Sequence, residues 1–276
     1  MDSASSRERD RHSRECGRPV TVSIGSPADG SAATPAWTRR PAGLSTAVAR
    51  ELVERIVSGV YPSGSALPTE PSLCETFSVS RTVIRESVKM LQEKGLVRVR
   101  QGSGTLVTER DAWNLLDAQV LAATISTDPG SSVLDDLVVT RRLLEADMVF
   151  VATGTLDEAG LRQLGALVDL MDTLVTDWPT YMPRDKEFHD LIMKASGNRI
   201  ARGVVHSLEL QAADAAKYVG SPTTSDCVDS NRGHREIFER MAAGDAAGAA
   251  AAMQAHITEA WLARRQSDEG TERLAR

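Results

Sequence analysis

Four residues in the second half of the chain have the types and the spacing of ligands to a metal ion. Asp185 and His189 lie four residues apart in a segment with a helical pattern, so both side chains leave one face of the predicted helix. His234 lies 10 residues before Gly244 and His256 lies 12 residues after it, so antiparallel helices joined there return both imidazoles to about the same height. One carboxylate and three imidazoles suit Zn²⁺, Ni²⁺, Mn²⁺ or a similar divalent ion. The spacing alone also fits a surface Asp–His pair and hydrogen-bonded core histidines.

A second set of polar residues lies in the first half of the chain and has the pattern of a DNA-reading helix. Arg81 and Arg85 are four residues apart, hence neighbours on one helix face. In a helix-turn-helix the second helix of the motif enters the major groove, where arginine binds O6 and N7 of guanine. Threonine hydroxyls and backbone amides suit phosphate oxygens. The predicted DNA contacts are Thr69, Arg81, Thr82, Arg85, Arg100 and the amides near Gly102 and Gly104.

The charge distribution agrees with DNA binding by the first half only. Residues 81–100 contain six basic and two acidic residues, whereas residues 111–276 carry a net charge of −10 and the whole chain −6. A duplex attracts the basic patch through its phosphates and tends to repel the acidic remainder. The charge distribution alone is equally consistent with an ordinary solvated surface that binds no DNA.

Three helices and a hairpin are the elements that must position these arginines. Apolar residues recur every four positions in the first helix, which Ser45 is placed to cap, and Thr69 and Ser80 are placed to cap the second and third. Gly95 is placed to end the third helix, and a strand, a turn and a return strand follow over residues 96–107. This order of elements predicts a winged helix-turn-helix.

The remainder of the chain has helical patterns and no strand pattern, which predicts an all-α bundle. A linker helix is expected around Trp113–Ile125, and Thr155 with Glu158 has the spacing of a capping box. The bundle helices are expected at 132–152, 155–175, 181–195, 199–219, 229–243 and 245–265. We divide the chain into a disordered arm (1–40), a winged helix-turn-helix domain (41–110), a linker helix (111–130), an all-α metal- and effector-binding domain (131–265) and a C-terminal tail (266–276).

The composition excludes several classes of protein. No stretch approaches the roughly 18 continuous apolar residues of a membrane span. Cys16, Cys74 and Cys227 lie far apart without a CxxC pair, which excludes a disulfide scaffold and a thiolate zinc ribbon and fits a reducing cytoplasm. The first 40 residues lack the apolar stretch of a secretory signal. We therefore expect a cytoplasmic protein of mainly α structure.

Four short runs within residues 44–107 carry a family resemblance. They are Gly59-x-Tyr61-x-x-Gly64-x-x-Leu67-Pro68-x-Glu70, Val79-Ser80-Arg81-Thr82-x-x-Arg85-Glu86, Leu91-x-x-x-Gly95-Leu96-Val97 and Gly102-x-Gly104-Thr105-x-Val107. This combination resembles the winged helix-turn-helix of GntR-type bacterial transcription regulators, which implies a double-stranded DNA operator as partner. Pro71 and Ser87 depart from the common pattern, and the wing turn lacks an arginine that is often present there.

Residues 131–265 carry a second resemblance. The matching runs are Arg141-x-x-Leu144-Glu145, Asp185-x-x-Phe188-His189-x-x-Ile192-x-x-Ala195-Ser196-Gly197-Asn198, His234-x-x-Ile237 and Gly244-Asp245-x-x-x-Ala249-x-x-x-Met253-x-x-His256-Ile257. They resemble the FCD effector domain of the FadR-like GntR branch. The resemblance implies metal ligation by Asp185, His189, His234 and His256, and binding of an effector carboxylate by Arg141. Members without the four ligands bind acyl-CoA instead.

From both resemblances we expect a homodimeric repressor that a small organic or sugar acid releases from its operator. The acid would bind the metal and Arg141 and change the spacing of two DNA-binding heads. Judged by spacing alone, Arg141 and Glu145 also fit an ordinary surface ion pair four residues apart on a helix. Two other roles for the metal remain open, namely a sensor in which the ion is the effector and a purely structural site. An enzyme would leave the DNA-binding module unexplained.

Overall fold

The chain is mainly α-helical, as the sequence pattern predicts. The computed structural model describes residues 43–100, 102, 104–212 and 222–274, so the arm of residues 1–40 and two residues of the wing turn lie outside the described part. Within that part the elements are α1 Leu44–Val57, α2 Glu70–Phe77, α3 Arg81–Glu93, β1 Val97–Arg100, β2 Gly104–Val107, a 3₁₀ turn Arg110–Ala112, α4 Ala118–Ser126, α5 Ser132–Thr155, α6 Glu158–Asp172, α7 Trp178–Ala195, α8 Arg199–Ala212, α9 Thr224–Ala242 and α10 Ala246–Leu274. None of the described helices is long and apolar enough to cross a membrane.

The first three helices and the hairpin enclose a small aliphatic core. Leu52 of α1, Leu73 of α2, and Ile84 and Leu91 of α3 are all buried in it. The two strands pair antiparallel with Val97 opposite Val107, and the segment before α2 adds an isolated bridge to β2. This packing fixes the angle between α2 and α3, and it leaves the opposite face of α3 exposed.

Two of the three predicted N-caps are confirmed in this module. The Thr69 hydroxyl accepts from the Ser72 amide at 3.4 Å, and the Ser80 hydroxyl accepts from the Val83 amide at 3.5 Å. The prediction for Ser45 is wrong, because α1 begins at Leu44 and its N-cap is Gly43, which makes no side-chain bond. The Ser45 carbonyl instead accepts from the Ser87 hydroxyl of α3 at 2.9 Å, which joins the two helices.

The linker helix α4 is shorter than predicted and belongs to both halves of the molecule. It begins after Asp117, whose carboxylate accepts from two backbone amides of its first turn at 3.0 and 3.2 Å. Val120 and Ala123 lie in the core of the winged module, whereas Leu121 and Ile125 lie in the core of the bundle. One helix therefore packs into two cores through different faces.

The bundle consists of α5 to α10, and several of its helix ends differ from the expected ones. Thr155 is the last residue of α5 rather than a cap, and the cap of α6 is Asp157, which accepts from the Gly160 amide at 2.8 Å. Helix α9 begins at Thr224 instead of 229, and α7 begins at Trp178 instead of 181. The last helix continues to Leu274, well beyond residue 265. The predicted end of α8, residues 213–219, lies outside the described residues.

Gly95 provides a test of this architecture. It ends α3 with a φ of +75°, and a Cβ atom there would collide with the Ala112 carbonyl of the linker. We expect Gly95→Ala to lower the free energy of unfolding by roughly 2–4 kcal/mol, since strain and a backbone clash add together. Gly203→Ala in α8, where a Cβ would meet nothing within 4 Å, is the control and should not destabilise. Equal urea midpoints for the two variants would contradict this account.

Candidate metal centre and DNA-binding surface

The structure brings all four predicted metal ligands into one cluster. Helix α7 carries Asp185 and His189 one turn apart, and the antiparallel helices α9 and α10 carry His234 and His256. The Nε2 atom of His189 lies 3.2 Å from that of His256 and 3.4 Å from that of His234. The Asp185 carboxylate lies 3.3 Å from His234 Nε2, and the four ligand atoms all lie within 4.8 Å of one another. His234 lies in the middle of α9.

The chemistry of this donor set fits a divalent cation. All three imidazoles are buried and direct Nε2 toward the same point. Burial lowers the pKa of His234 and of His256, and the positive charge of neighbouring histidine lowers both further, so both rings are neutral and keep a lone pair. Neutral ring nitrogens that face one another at 3.2–3.4 Å are satisfied only when a cation or a proton lies between them. Asp185, His189, His234 and His256 are therefore the residues that would hold the metal.

Glu145 is the main residue of the centre that the sequence analysis did not find. It is buried on α5, and its carboxylate accepts from Nδ1 of His189 at 2.6 Å and from Nε of Arg141 at 2.8 Å. Burial acts to raise the pKa of Glu145, but the charges of Arg141 and His189 outweigh burial and lower it to about 2. A carboxylate behind a ligating histidine fixes the ring and makes the ligand more basic. The spacing of Arg141 and Glu145 resembled that of an ordinary surface pair and gave no sign of this role.

Two other residues contact the remaining imidazoles, those of His234 and His256. The Tyr181 hydroxyl is 3.4 Å from Nδ1 of His234, which allows Nδ1–H to donate to the phenol oxygen while Nε2 faces the cluster. Burial raises the pKa of Tyr181, so the phenol stays protonated. Gly233 lies so close to the His256 ring that a Cβ at this position would come within 2.6 Å of Nδ1. A side chain at Gly233 would therefore push α10 away from α9 at the level of the centre.

A small cavity of about 30 Å³ adjoins the cluster. Its walls include three of the four ligands together with Arg141, Ser230, Trp261 and Arg264. Arg141, the predicted effector residue, lines this cavity, and its guanidinium binds Glu145 at 2.8 Å and Glu209 at 2.9 Å. Arg264 of α10 is a second cationic side chain in the wall, and the sequence analysis did not single it out. A volume of about 30 Å³ is that of roughly one water molecule.

The predicted DNA contacts on α3 lie together at one surface. Arg81, Thr82 and Arg85 occupy the first two turns of the helix and are exposed. Arg85 also pairs with Glu70 of α2, whose two carboxylate oxygens accept from Nε at 3.2 and 3.0 Å. Among the described residues only Nε of Arg85 has a partner, so its two terminal nitrogens are available there to a guanine edge.

The remaining predicted contacts lie on the loop before α2 and on the wing. Thr69 is exposed while it caps α2. Arg100 at the end of β1 is opposite Gly104 at the start of β2, and both are exposed, as is Gly102 in the turn. The wing therefore presents two guanidinium groups, those of Arg98 and Arg100, and the backbone at Gly102 to solvent. Contact of these residues with DNA stays a prediction.

Glu145 gives a direct test of the centre. We expect Glu145→Gln to weaken Zn²⁺ binding about 10- to 100-fold, because the amide no longer fixes His189 as a carboxylate does. The affinity is measured by competition with a chromophoric chelator at constant pH. Glu187→Gln, an exposed change on α7, is the matched control and should bind like the wild type. Equal affinity in the two variants would remove Glu145 from the centre.

Comparisons with known proteins agree with the two modules. Residues 44–107 match the model of bacterial regulatory proteins of the gntR family, and residues 136–259 match the FCD domain. The galactonate operon transcriptional repressor of Escherichia coli K12 is 27% identical over 81% of this chain and 88% of its own length. The regulator LutR of Bacillus subtilis 168 is 28% identical over 74% of this chain and 93% of its own length.

A solved structure shares the fold. It is that of Lar, which controls expression of the Listeria monocytogenes agr system, with a TM-score of 0.50, 19% identity and coverage of 82% of this chain and 99% of that one. The relatives are transcription regulators rather than enzymes. The order of elements, the two matched domains and the relatives place the chain in one family. It belongs to the GntR family of bacterial transcription regulators, in the branch that carries an FCD domain.

Proposed function

We propose that this regulator is a homodimeric repressor that binds a divalent metal and is released from its operator by a small hydroxy acid. The observation that carries the proposal is the convergence of Asp185 and three histidine Nε2 atoms beside a cavity that also has two arginines in its wall. A bound cation with open positions can hold a carboxylate and a neighbouring hydroxyl. The protein would act in the cytoplasm, where its operator lies.

The charges at the cavity favour an acid with one carboxylate. Asp185, Glu145 and Glu209 provide three negative charges among the described groups, and Arg141 and Arg264 provide two positive ones. With a divalent ion at the centre and His189 neutral as its ligand, these charges sum to +1, which one carboxylate neutralises. The relative from Escherichia coli is named as the repressor of a galactonate operon. Galactonate is a sugar acid with one carboxylate and an adjacent hydroxyl. We propose an effector of that chemical class.

The size of the cavity explains how binding would reach the DNA. The space of about 30 Å³ beside Arg141 does not admit an organic acid unless the surrounding helices move apart, and a neighbouring cavity of about 350 Å³ shares its walls at Ser230, His256 and Ala260. The walls come from α5, α7, α9 and α10, and α5 and α8 both pack against α4. Because α4 also belongs to the winged core, displacement of the bundle would move the DNA-binding heads. The acid shifts this equilibrium only by its higher affinity for the open state.

A metal sensor is the second candidate, since mostly neutral ligands would allow the ion itself to be the effector. Operator release by Zn²⁺ without any acid would favour the sensor. The buried Glu145 behind His189 favours a permanently bound ion instead, because it strengthens metal binding. A structural metal site would give no operator release under either condition.

The response to acids tests the proposal. Galactonate, gluconate and lactate are added to the full chain with and without Zn²⁺, and the unfolding temperature and release from operator DNA are measured. We expect at least one acid to stabilise the metal-loaded protein by about 2.7 kcal/mol at 100 times its Kd, and to release the DNA. His234→Ala should lower the zinc content and abolish both responses. An acid response that persists without metal would contradict the proposed site.

The DNA-reading role of Arg85 is tested with a duplex that the wild-type protein selects from a random library. Arg85→Ala should cost about 1–3 kcal/mol of binding free energy, because the guanine contacts are lost. That cost corresponds to an increase of roughly 5- to 150-fold in Kd. Arg162→Ala on α6, which removes an exposed arginine paired one turn away, is the control. Equal affinity of both variants in a gel shift would refute the role of Arg85.

A further inference from the structure

A groove between α9 and α10 borders the metal centre. It has a volume of about 350 Å³, and its lining residues belong to these two helices, which pack against each other. His256 lines the groove together with Ser230 and Ala260, and the same three residues also line the small cavity beside Arg141. The centre therefore adjoins two spaces, and Arg141 lines the small cavity but not the groove.

Small residues leave the floor of this groove open at His256. Ser230 and Gly233 of α9 and Ala260 of α10 line it, and a Cβ at Gly233 would come within 2.6 Å of His256 Nδ1. Nε2 of His256 lies 3.2 Å from Nε2 of His189 in the metal cluster. One nitrogen of the His256 ring thus lies in the cluster, and the other lies beside Gly233 at the groove.

Nδ1 of His256 differs from Nδ1 of the other two imidazoles. Nδ1 of His189 is bonded to Glu145 at 2.6 Å, and Nδ1 of His234 lies 3.4 Å from the Tyr181 hydroxyl. Among the described residues the hydrogen bond of His256 is made by Nε2, and none of them is bonded to its Nδ1, although the side chain is only 5% exposed. A buried ring nitrogen of this kind needs a partner from the groove, which is water or a cation.

The charges along the groove favour a cation. Its lining residues carry four negative charges and one positive charge, those of Asp226, Asp229, Glu236, Glu259 and Arg232. Arg240, which lies outside the lining, binds Glu236 at 3.4 Å and brings the sum from −3 to −2. The small cavity has two arginines in its wall instead and suits an anion. The two spaces beside the centre therefore differ in the sign of charge that they attract.

The groove also has the size that a hydrated ion requires. Six water molecules occupy about 180 Å³ of liquid, which fits into the groove of about 350 Å³ but not into the cavity of about 30 Å³. A divalent cation can therefore enter the groove with its water shell and exchange that water for protein ligands at the floor. Clefts lined by one sign of charge raise the association rate of an oppositely charged ligand by about 10- to 1,000-fold.

We propose that this groove is the entrance through which the divalent cation reaches the centre. Asp229, Glu236 and Glu259 attract the ion, and His256 receives it at the floor. The proposal rests on the proposed metal centre and adds how that centre is loaded. It also separates the two ligands of the regulator, because the cation arrives through the acidic groove and the acid binds beside Arg141.

The rate of zinc binding to the metal-free full chain tests the entrance without acid or DNA. Protein and Zn²⁺ are mixed in a stopped-flow instrument at about 0.01 M and about 1 M NaCl, and a chromophoric chelator reports the ion that remains free. We expect Glu236→Gln/Glu259→Gln to bind Zn²⁺ about 10-fold more slowly than the wild type at low salt and within about 2-fold of it at high salt, since salt screens the charges. Arg232→Gln removes the positive charge and should bind about 2- to 3-fold faster at low salt.

Glu75→Gln/Glu158→Gln is the control with the same change in net charge. It removes two exposed carboxylates on α2 and α6 and should bind zinc at the wild-type rate. The zinc stoichiometry and the circular dichroism spectrum should be the same in all variants, because no ligand is changed. The entrance would be overturned if the groove variant matched this control at low salt, or if it were equally slow at both salt concentrations.

Arg232→Gln keeps the test decisive if the double variant fails to fold, because a rate equal to that of the wild type would also overturn the entrance. A chain that binds no zinc at all would contradict the metal centre together with its entrance. Rates that ignore the charges of the groove would leave the acid-responsive repressor intact. A charge-dependent rate in a protein that responds to no acid would contradict only the proposed function.

Discussion

The buried hydrogen bond between Glu145 and His189 joins the metal cluster to the packing of the bundle helices. A carboxylate without solvent is costly, and here Arg141 and the His189 ring offset that cost. The same Arg141 also binds Glu209, so one ionic network joins α5, α7 and α8 at the wall of the metal cluster. The geometry of the centre and the packing of the helices therefore depend on one set of contacts. In the proposed function, a ligand that disturbs this network would move the helices as well.

In the proposed function, helix α4 would carry such a movement to the DNA-binding module, because it packs into both cores. A flexible tether between the modules would absorb a displacement of the bundle, whereas a helix packed into both cores has to move with each of them. Lys94 at the end of α3 strengthens the connection, because its ammonium binds Asp117 at 2.5 Å. Both side chains are largely buried, so this pair is less screened by salt than a surface pair. Helix α3, helix α4 and the bundle are thus connected by direct contacts, so a displacement of one would be passed to the next.

The sequence predicts the parts of this arrangement that depend on local spacing. Asp185 and His189 are one helical turn apart, and the return of His256 to the height of His234 follows from helix rise and one glycine turn. Glu145 could not be found in this way, because its contact with His189 spans 44 residues and depends on how α5 packs on α7. The start of α9 was missed for another reason. Its first two turns contain Cys227 and Asn231 as buried residues, and this short polar stretch has little apolar periodicity.

The ion pair between Glu70 and Arg85 bears on specificity more than on stability. Both side chains are substantially exposed, and exposed pairs contribute little to folding. Because Glu70 binds Nε, the Arg85 side chain has less rotamer freedom before DNA is bound. Less conformational entropy would then be lost when its terminal nitrogens bind a guanine. The nearby carboxylate also repels phosphates, which weakens binding where no base contact compensates. In the proposed DNA-reading role, Arg85 would therefore favour the correct sequence over DNA in general, at some expense of total affinity.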